Sequence, residues 1–333
     1  MVWLYVASFP MAFLSVDFVS SRVQKQRLAD CDLGDVAIFG DSRAEAAIAP
    51  AFMSVRTSNF ALQATTPVET WFAVQQAMRC PVPPRWVIIG HGLHAHNEPV
   101  RLWGFDAPYE FLDLGERQEV QRVAARLNDV ASLESTSDIG VAAGLLDWAF
   151  AVRFPPLYFA SLWQSWIGLR WFQNQGWADE LTRARGHCLF GSANGSSEVA
   201  KEAEMHEFRP FPLVDYYFSK TLTLLDQHGV NVLYLTPPVN HSTYDRIRPE
   251  VAPGFLNYLR SKSRTLNHFH IVEDVIPCWP DEYFGDEAHL NKVGASKYSH
   301  EMNELLTRLM AGGTIGTLPD HCQLHAASSW AAF

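Results

Sequence analysis

The chain has 333 residues, 48% hydrophobic and 19% charged, which supports a full apolar core and excludes a disordered protein. A net charge of −10 excludes the basic field that a nucleic-acid binder presents. Five cysteines (Cys31, Cys80, Cys188, Cys278 and Cys322) lie without metal-ligand spacing, and their odd number leaves at least one unpaired in an oxidising compartment.

Residues 1–19 are nearly all apolar, with Asp17 as the sole charge, and Arg22, Lys25 and Arg27 follow. The stretch has the length of a bilayer span but lacks a basic start and a small-residue cleavage site. It reads as an N-terminal membrane anchor with its linker over residues 1–28, with a buried amphipathic helix as the alternative. The basic residues after it would place the remainder in the cytoplasm.

A first strand is predicted over 35–39, running into a tight turn with Ser42 at its tip and a short helix over 44–51. Arg43 is expected to face solvent or a substrate carboxylate. A second strand over 55–62 leads into a polar loop through Ala64, Thr65 and Thr66, and then a helix over 68–78. The third strand, 85–90, runs into a loop carrying His91, His94, His96 and Asn97. Three histidines in six residues raise a metal site, but no carboxylate or cysteine elsewhere has matching spacing. They read as site-lining or solvent-facing groups, and neither a metal nor a cofactor is expected.

Residues 101–207 read as a helical insertion, with helices over 116–133 and over 141–172, the latter broken near Pro155-Pro156. The Trp-, Phe- and Leu-rich part, 145–171, suits a cap over the site, a membrane-facing surface or a hairpin packed on the sheet. A helix over 212–228 precedes a fourth strand, 231–235. The loop after it brings Asn240 and His241 to the ligand side of an open sheet. A helix over 244–265, broken at Pro253-Gly254, a fifth strand over 269–272 and a closing helix over 293–310 complete the domain. The tail, 311–333, has little periodicity and reads as mobile. Strands alternating with helices imply an α/β fold: a doubly wound, five-stranded parallel sheet in the order 2-1-3-4-5, flanked by helices.

A serine becomes a nucleophile when a base takes its proton, and a third group fixes the base's tautomer. Ser42, His289 and Asp286 can fill these roles. Residues three apart share one side of a turn, so the Asp286 carboxylate can take Nδ1–H while Nε2 faces Ser42.

Gly40-Asp41-Ser42 after a strand, with Asp286-x-x-His289 near the C-terminus, resembles the SGNH (GDSL-type) hydrolase family. The run from His289 to Ala295 is similar to members associated with envelope and exopolysaccharide acyl chemistry. The resemblance implies a serine-dependent acyl-ester hydrolase or O-acetyltransferase acting on a cell-envelope or exopolysaccharide carbohydrate. It implies an envelope location, membrane-anchored and periplasmic, and polysaccharide-synthesis partners. It also implies an oxyanion hole from the N–H groups of Ser42 and of Ala64, the latter standing where the family has glycine. The family's side-chain donor is an asparagine, and its position here is Gly92. Asn97 could reach in from a longer loop, or His91 or His94 could substitute. The missing asparagine keeps a second expectation open: a catalytically weak carbohydrate-binding or assembly factor on the same fold.

Overall fold

The computed structural model describes residues 1–129, 142–166, 168–315, 319 and 321–322. Five parallel strands form the central sheet: β1 (Val36–Gly40), β2 (Thr57–Asn59), β3 (Trp86–Gly90), β4 (Asn231–Leu235) and β6 (Phe269–Ile271). Their order is β2-β1-β3-β4-β6, and a separate parallel pair joins β5 (Val239–Asn240) to β7 (Cys278–Trp279). The expected order of the five strands is the observed one. The short β5–β7 ladder was not foreseen, because two-residue strands carry no pattern.

The central strands β1 and β3 are apolar throughout because both faces are covered, whereas the edge strand β2 is Thr57-Ser58-Asn59. Side chains alternate across the sheet. Ala37, Phe39, Val87, Ile89, Val232 and Tyr234 pack with the helices Pro67–Ala77, Pro212–Gln227 and Val251–Ser263. Val36, Ile38, Trp86, Ile88, Leu233 and Leu235 pack on the opposite face with the helix Lys292–Met310.

Local differences have local causes. The second strand is shorter than predicted, yet Phe60 and Leu62 still donate backbone hydrogen bonds to β1, so the chain follows the sheet beyond the ladder. The helix Val251–Ser263 runs through Pro253-Gly254 without a break. Pro253 lies in its first turn, where no intrahelical donor is needed. The helix expected over 116–133 is observed as Leu114–Arg126, and the positions from 130 to 133 lie outside the described residues.

Residues 1–28 do not form one continuous span. The helix Val2–Ser8 ends at Phe9, a 3₁₀ turn covers Pro10–Ala12, and a second helix occupies Val16–Ala29. Pro10 has no N–H with which to continue the first helix. Phe13, Leu14, Phe18 and Val19 are buried around Tyr158 of the insertion. Gln24 and Arg27 are buried too, both donating to the carbonyl of Asn59. Among the described residues no helix is long and apolar enough to cross a membrane.

Two disulfides are present. Cys31–Cys80 ties the end of the helix Val16–Ala29 to the chain leaving Pro67–Ala77, and Cys278–Cys322 ties β7 to the tail. Cys188 is free and buried. The tail is therefore not loose throughout: His321 also stacks on Trp279, with ring centroids 4.2 Å apart.

Candidate active site

β1 delivers Ser42. Its last residue, Gly40, has φ of +156°, and a Cβ there would meet the Gly90 carbonyl at 1.9 Å. Only glycine lets β1 and β3 approach this closely before the chain turns. Asp41 then caps the helix Ser42–Ala47, accepting from Arg43 N at 2.9 Å and from Gly92 N at 2.8 Å. The carboxylate of Asp41 thus fastens the nucleophile turn to the loop after β3.

Ser42 Oγ lies 2.8 Å from His289 Nε2. His289 Nδ1 lies 2.9 and 2.8 Å from the two oxygens of Asp286. The same carboxylate accepts the backbone N–H groups of Ala288 and His289 at 2.9 and 2.7 Å. Burial works against ionising Asp286, but these hydrogen bonds and His289 outweigh it and hold the carboxyl below its usual range. The carboxylate therefore stays ionised and fixes Nδ1–H, leaving Nε2 to accept the serine proton. Phe190 packs its ring 4.8 Å from that of His289.

A cavity of about 420 Å³ opens onto Ser42 and His289, with Ala64, Thr65, Thr66, His94 and Phe190 among its walls. Ala64 has φ of +59°, a left-handed conformation that glycine favours. Alanine here occupies a glycine-type backbone position. Thr65 holds the loop by donating to the Gly40 carbonyl at 2.8 Å, and Thr66 caps the helix Pro67–Ala77 with Glu69.

The three loop histidines take three different partners. His91 is fully buried and meets Thr70 Oγ1 at 2.9 Å. His96 is buried and meets the Tyr234 hydroxyl at 2.9 Å. Burial pushes His91 down to about 4 and His96 well below the ordinary histidine range, so both are neutral. Of the three, His94 alone lines the cavity at Ser42. Its Nδ1 lies 2.6 Å from Glu202, a residue of the insertion. Among the described residues no group of three or more His, Cys, Asp or Glu side chains is placed to hold a metal ion.

Arg43 reaches neither solvent nor the cavity contents as a free charge. It is buried and meets the other oxygen of Glu202 at 2.6 Å. Burial pushes Glu202 up, but Arg43 and His94 outweigh it and hold its carboxyl far below the usual range. Burial lowers His94, and Glu202 overrides that, raising it above the ordinary histidine value. Sequence reading missed this Arg43–Glu202–His94 chain, because Glu202 lies in a four-residue 3₁₀ helix, Lys201–Glu204, 159 residues from Arg43.

Two other candidates are placed elsewhere. Asn97 accepts from Arg209 N through Oδ1 at 3.0 Å and lines a neighbouring cavity instead. Asn240 is fully buried as the cap of His241–Tyr244, and its amide donates to the carbonyls of Ser196 and Glu198. The Asn240 amide N–H groups are thus taken by backbone carbonyls, and Asn97 is held through its oxygen away from the Ser42 cavity. His241 is exposed and lies 3.4 Å from Asp245. At Gly92, where the resemblance implies an asparagine, a Cβ would meet the His94 ring at 2.8 Å. His94 fills the space that a side chain at Gly92 would need.

No known protein family, curated protein or solved structure matches this chain.

Proposed function

We propose that the chain is a serine acyl-transfer enzyme of the SGNH type, acting on an acylated cell-envelope or exopolysaccharide carbohydrate. One observation carries this reading: the unbroken hydrogen-bonded relay Ser42–His289–Asp286 at the mouth of a cavity. Ser42 Oγ attacks the ester carbonyl carbon while its proton passes to His289 Nε2. The oxyanion is met by the N–H groups of Ser42 and Ala64, with His94 as the side chain available for a third donor. Each such donor contributes about 10²–10³-fold in rate. His289 then protonates the departing alcohol, leaving an acyl ester on Ser42. Water or a sugar hydroxyl gives its proton to His289 and attacks that ester; the Ser42 Oγ–acyl bond breaks, His289 returns the proton to Ser42 Oγ, and free acid or transferred ester leaves. The carbohydrate class rests on the sequence resemblance. The two disulfides support an oxidising, extracytoplasmic compartment.

The test is hydrolysis of p-nitrophenyl acetate by the full chain beside Ser42→Ala and His289→Ala. Turnover lost in both variants, with folding retained, is the expected result. Equal background rates in all three would reject a competent relay.

A second reading, a catalytically weak carbohydrate-binding or assembly factor, is favoured by the lack of a side-chain amide at Gly92. A fluorophosphonate probe separates the two, since covalent labelling of Ser42 requires an activated hydroxyl.

A further inference from the structure

The insertion and the N-terminal segment together expose an apolar face that the acyl-transfer reading does not use. Trp163, Trp166 and Phe172 are 84%, 80% and 85% exposed, and Leu169 and Leu4 are 73% and 68% exposed. Large exposed apolar side chains concentrated in this way commonly mark an interaction site. The two segments pack together. Trp3 donates through Nε1 to the Val152 carbonyl at 2.9 Å, and its ring lies 6.2 Å from that of Phe154. Asn174 donates to the carbonyls of Met11 and Leu14 at 2.8 and 2.9 Å.

Two features say what covers this face. The first is charge. The protein has 36 acidic residues, yet residues 1–16 and 148–178 contain none; the latter stretch carries Arg170, and Arg153, which pairs with Glu110, while Asp179 and Glu180 follow in the last half of the helix Arg170–Arg183. On a molecule of net charge −10, this is a face that an anionic surface does not repel. The second is residue type. Six of the 11 tryptophans (Trp3, Trp148, Trp163, Trp166, Trp171 and Trp177) lie in these two segments. Tryptophan has an apolar body and a polar N–H, and it settles at the headgroup level of a bilayer. Trp163, Trp166, Leu169 and Phe172 line neither the cavity at Ser42 nor the one beside Glu110, and their exposure has the side chains projecting into solvent. The helices concerned, Val2–Ser8, Phe159–Gln164 and Arg170–Arg183, are too short to span a membrane and suit lying in its plane.

We propose that this face seats the protein on the surface of an anionic phospholipid bilayer, with Trp163, Trp166, Leu169 and Phe172 entering the headgroup boundary. The seating is independent of the chemistry at Ser42.

The test is flotation of the full chain with vesicles of phosphatidylglycerol and phosphatidylethanolamine, read beside tryptophan emission. The expected result is co-flotation with a blue shift, weaker on phosphatidylcholine vesicles at low salt. The triple variant Trp163→Ser/Trp166→Ser/Phe172→Ser should lose at least 100-fold in partitioning with an unchanged thermal melt. Val82→Ser, at an exposed apolar residue outside the face, should float as the parent does. Failure of the parent to float, or flotation of the triple variant at parental levels, overturns the proposal. Equal binding to both vesicle types overturns the anionic assignment. A concentration-dependent dimer that the triple variant abolishes, without vesicle binding, assigns the face to a second copy instead.

Discussion

Arg43, the residue after the nucleophile, meets Glu202 of the insertion at 2.6 Å, and both side chains are buried. The contact links the nucleophile turn to a segment that enters the fold between β3 and β4. Removing one partner leaves the other charge buried without compensation, which typically costs about 3–5 kcal/mol. Glu202→Gln should therefore lower the melting temperature sharply, read by thermal unfolding. A change within experimental scatter would show that Arg43 finds other compensation.

The same pair gives a pH signature. Glu202 is held below its ordinary range when folded, so its contribution is present above the unfolded carboxylate value of about 4.3 and fades as pH falls. His94 is raised when folded, so its contribution is full below about 6.5 and fades as pH rises through the folded value. The stability gap between the parent and Glu202→Gln should peak between those limits. Urea midpoints at half-unit pH steps measure it, and a gap independent of pH would sink the assignment.

The relay itself makes a kinetic prediction. Ser42→Ala and His289→Ala should each reduce kcat by about 10⁴-fold or more, and Asp286→Asn by about 10⁴-fold through the wrong tautomer. The double variant Ser42→Ala/His289→Ala should be little worse than either single one. Additive losses would mean that the residues do not act as a unit.

His94 is tested through Gly92. His94→Ala should reduce kcat/KM by about 10²-fold if its ring supplies an oxyanion donor. Gly92→Asn alone should impair the enzyme, because the new side chain collides with His94. Combined with His94→Ala it should recover part of the loss. Failure of the double variant to exceed His94→Ala would remove His94 from this role.

Ala64 offers a backbone test. Its φ of +59° is one that glycine adopts without the Cβ penalty of about 1 kcal/mol. Ala64→Gly should keep activity and match or slightly exceed parental stability. Ala64→Val, branched at Cβ, should lose both. Equal behaviour of the two variants in melting and turnover would contradict the assigned backbone.

Much of the fold was legible because the strands are short apolar runs bounded by turns, and buried parallel strands must be apolar on both faces. The relay was legible because Asp286 and His289 sit one turn apart and Ser42 follows a strand. The remainder depends on long-range placement. Phe190 comes from a loop and Glu202 from a single 3₁₀ turn, both too short to carry a period, and nothing local marks them as neighbours of Ser42 and His289. Asn97 and Asn240 misled because a polar side chain in a loop satisfies backbone groups as readily as it meets a substrate. The apparent span at the N-terminus misled because mean hydropathy ignores the break at Pro10 and the buried partners of Gln24 and Arg27.

Within the insertion, Gly191 sits so close to Gly285 that a Cβ at either would strike the other's backbone, and Ala193 donates to the Gly285 carbonyl at 3.2 Å. Gly285 immediately precedes Asp286. The insertion thus braces the acid–base arm from beneath, as Glu202 braces the nucleophile turn and Phe190 the imidazole. Shortening it to a tight β3–β4 connection would remove all three supports at once while leaving Ser42, Asp286 and His289 in the sequence. A chain trimmed in this way would keep the three residues without the contacts that align them, so their presence in a sequence alone does not guarantee the hydrogen-bonded relay.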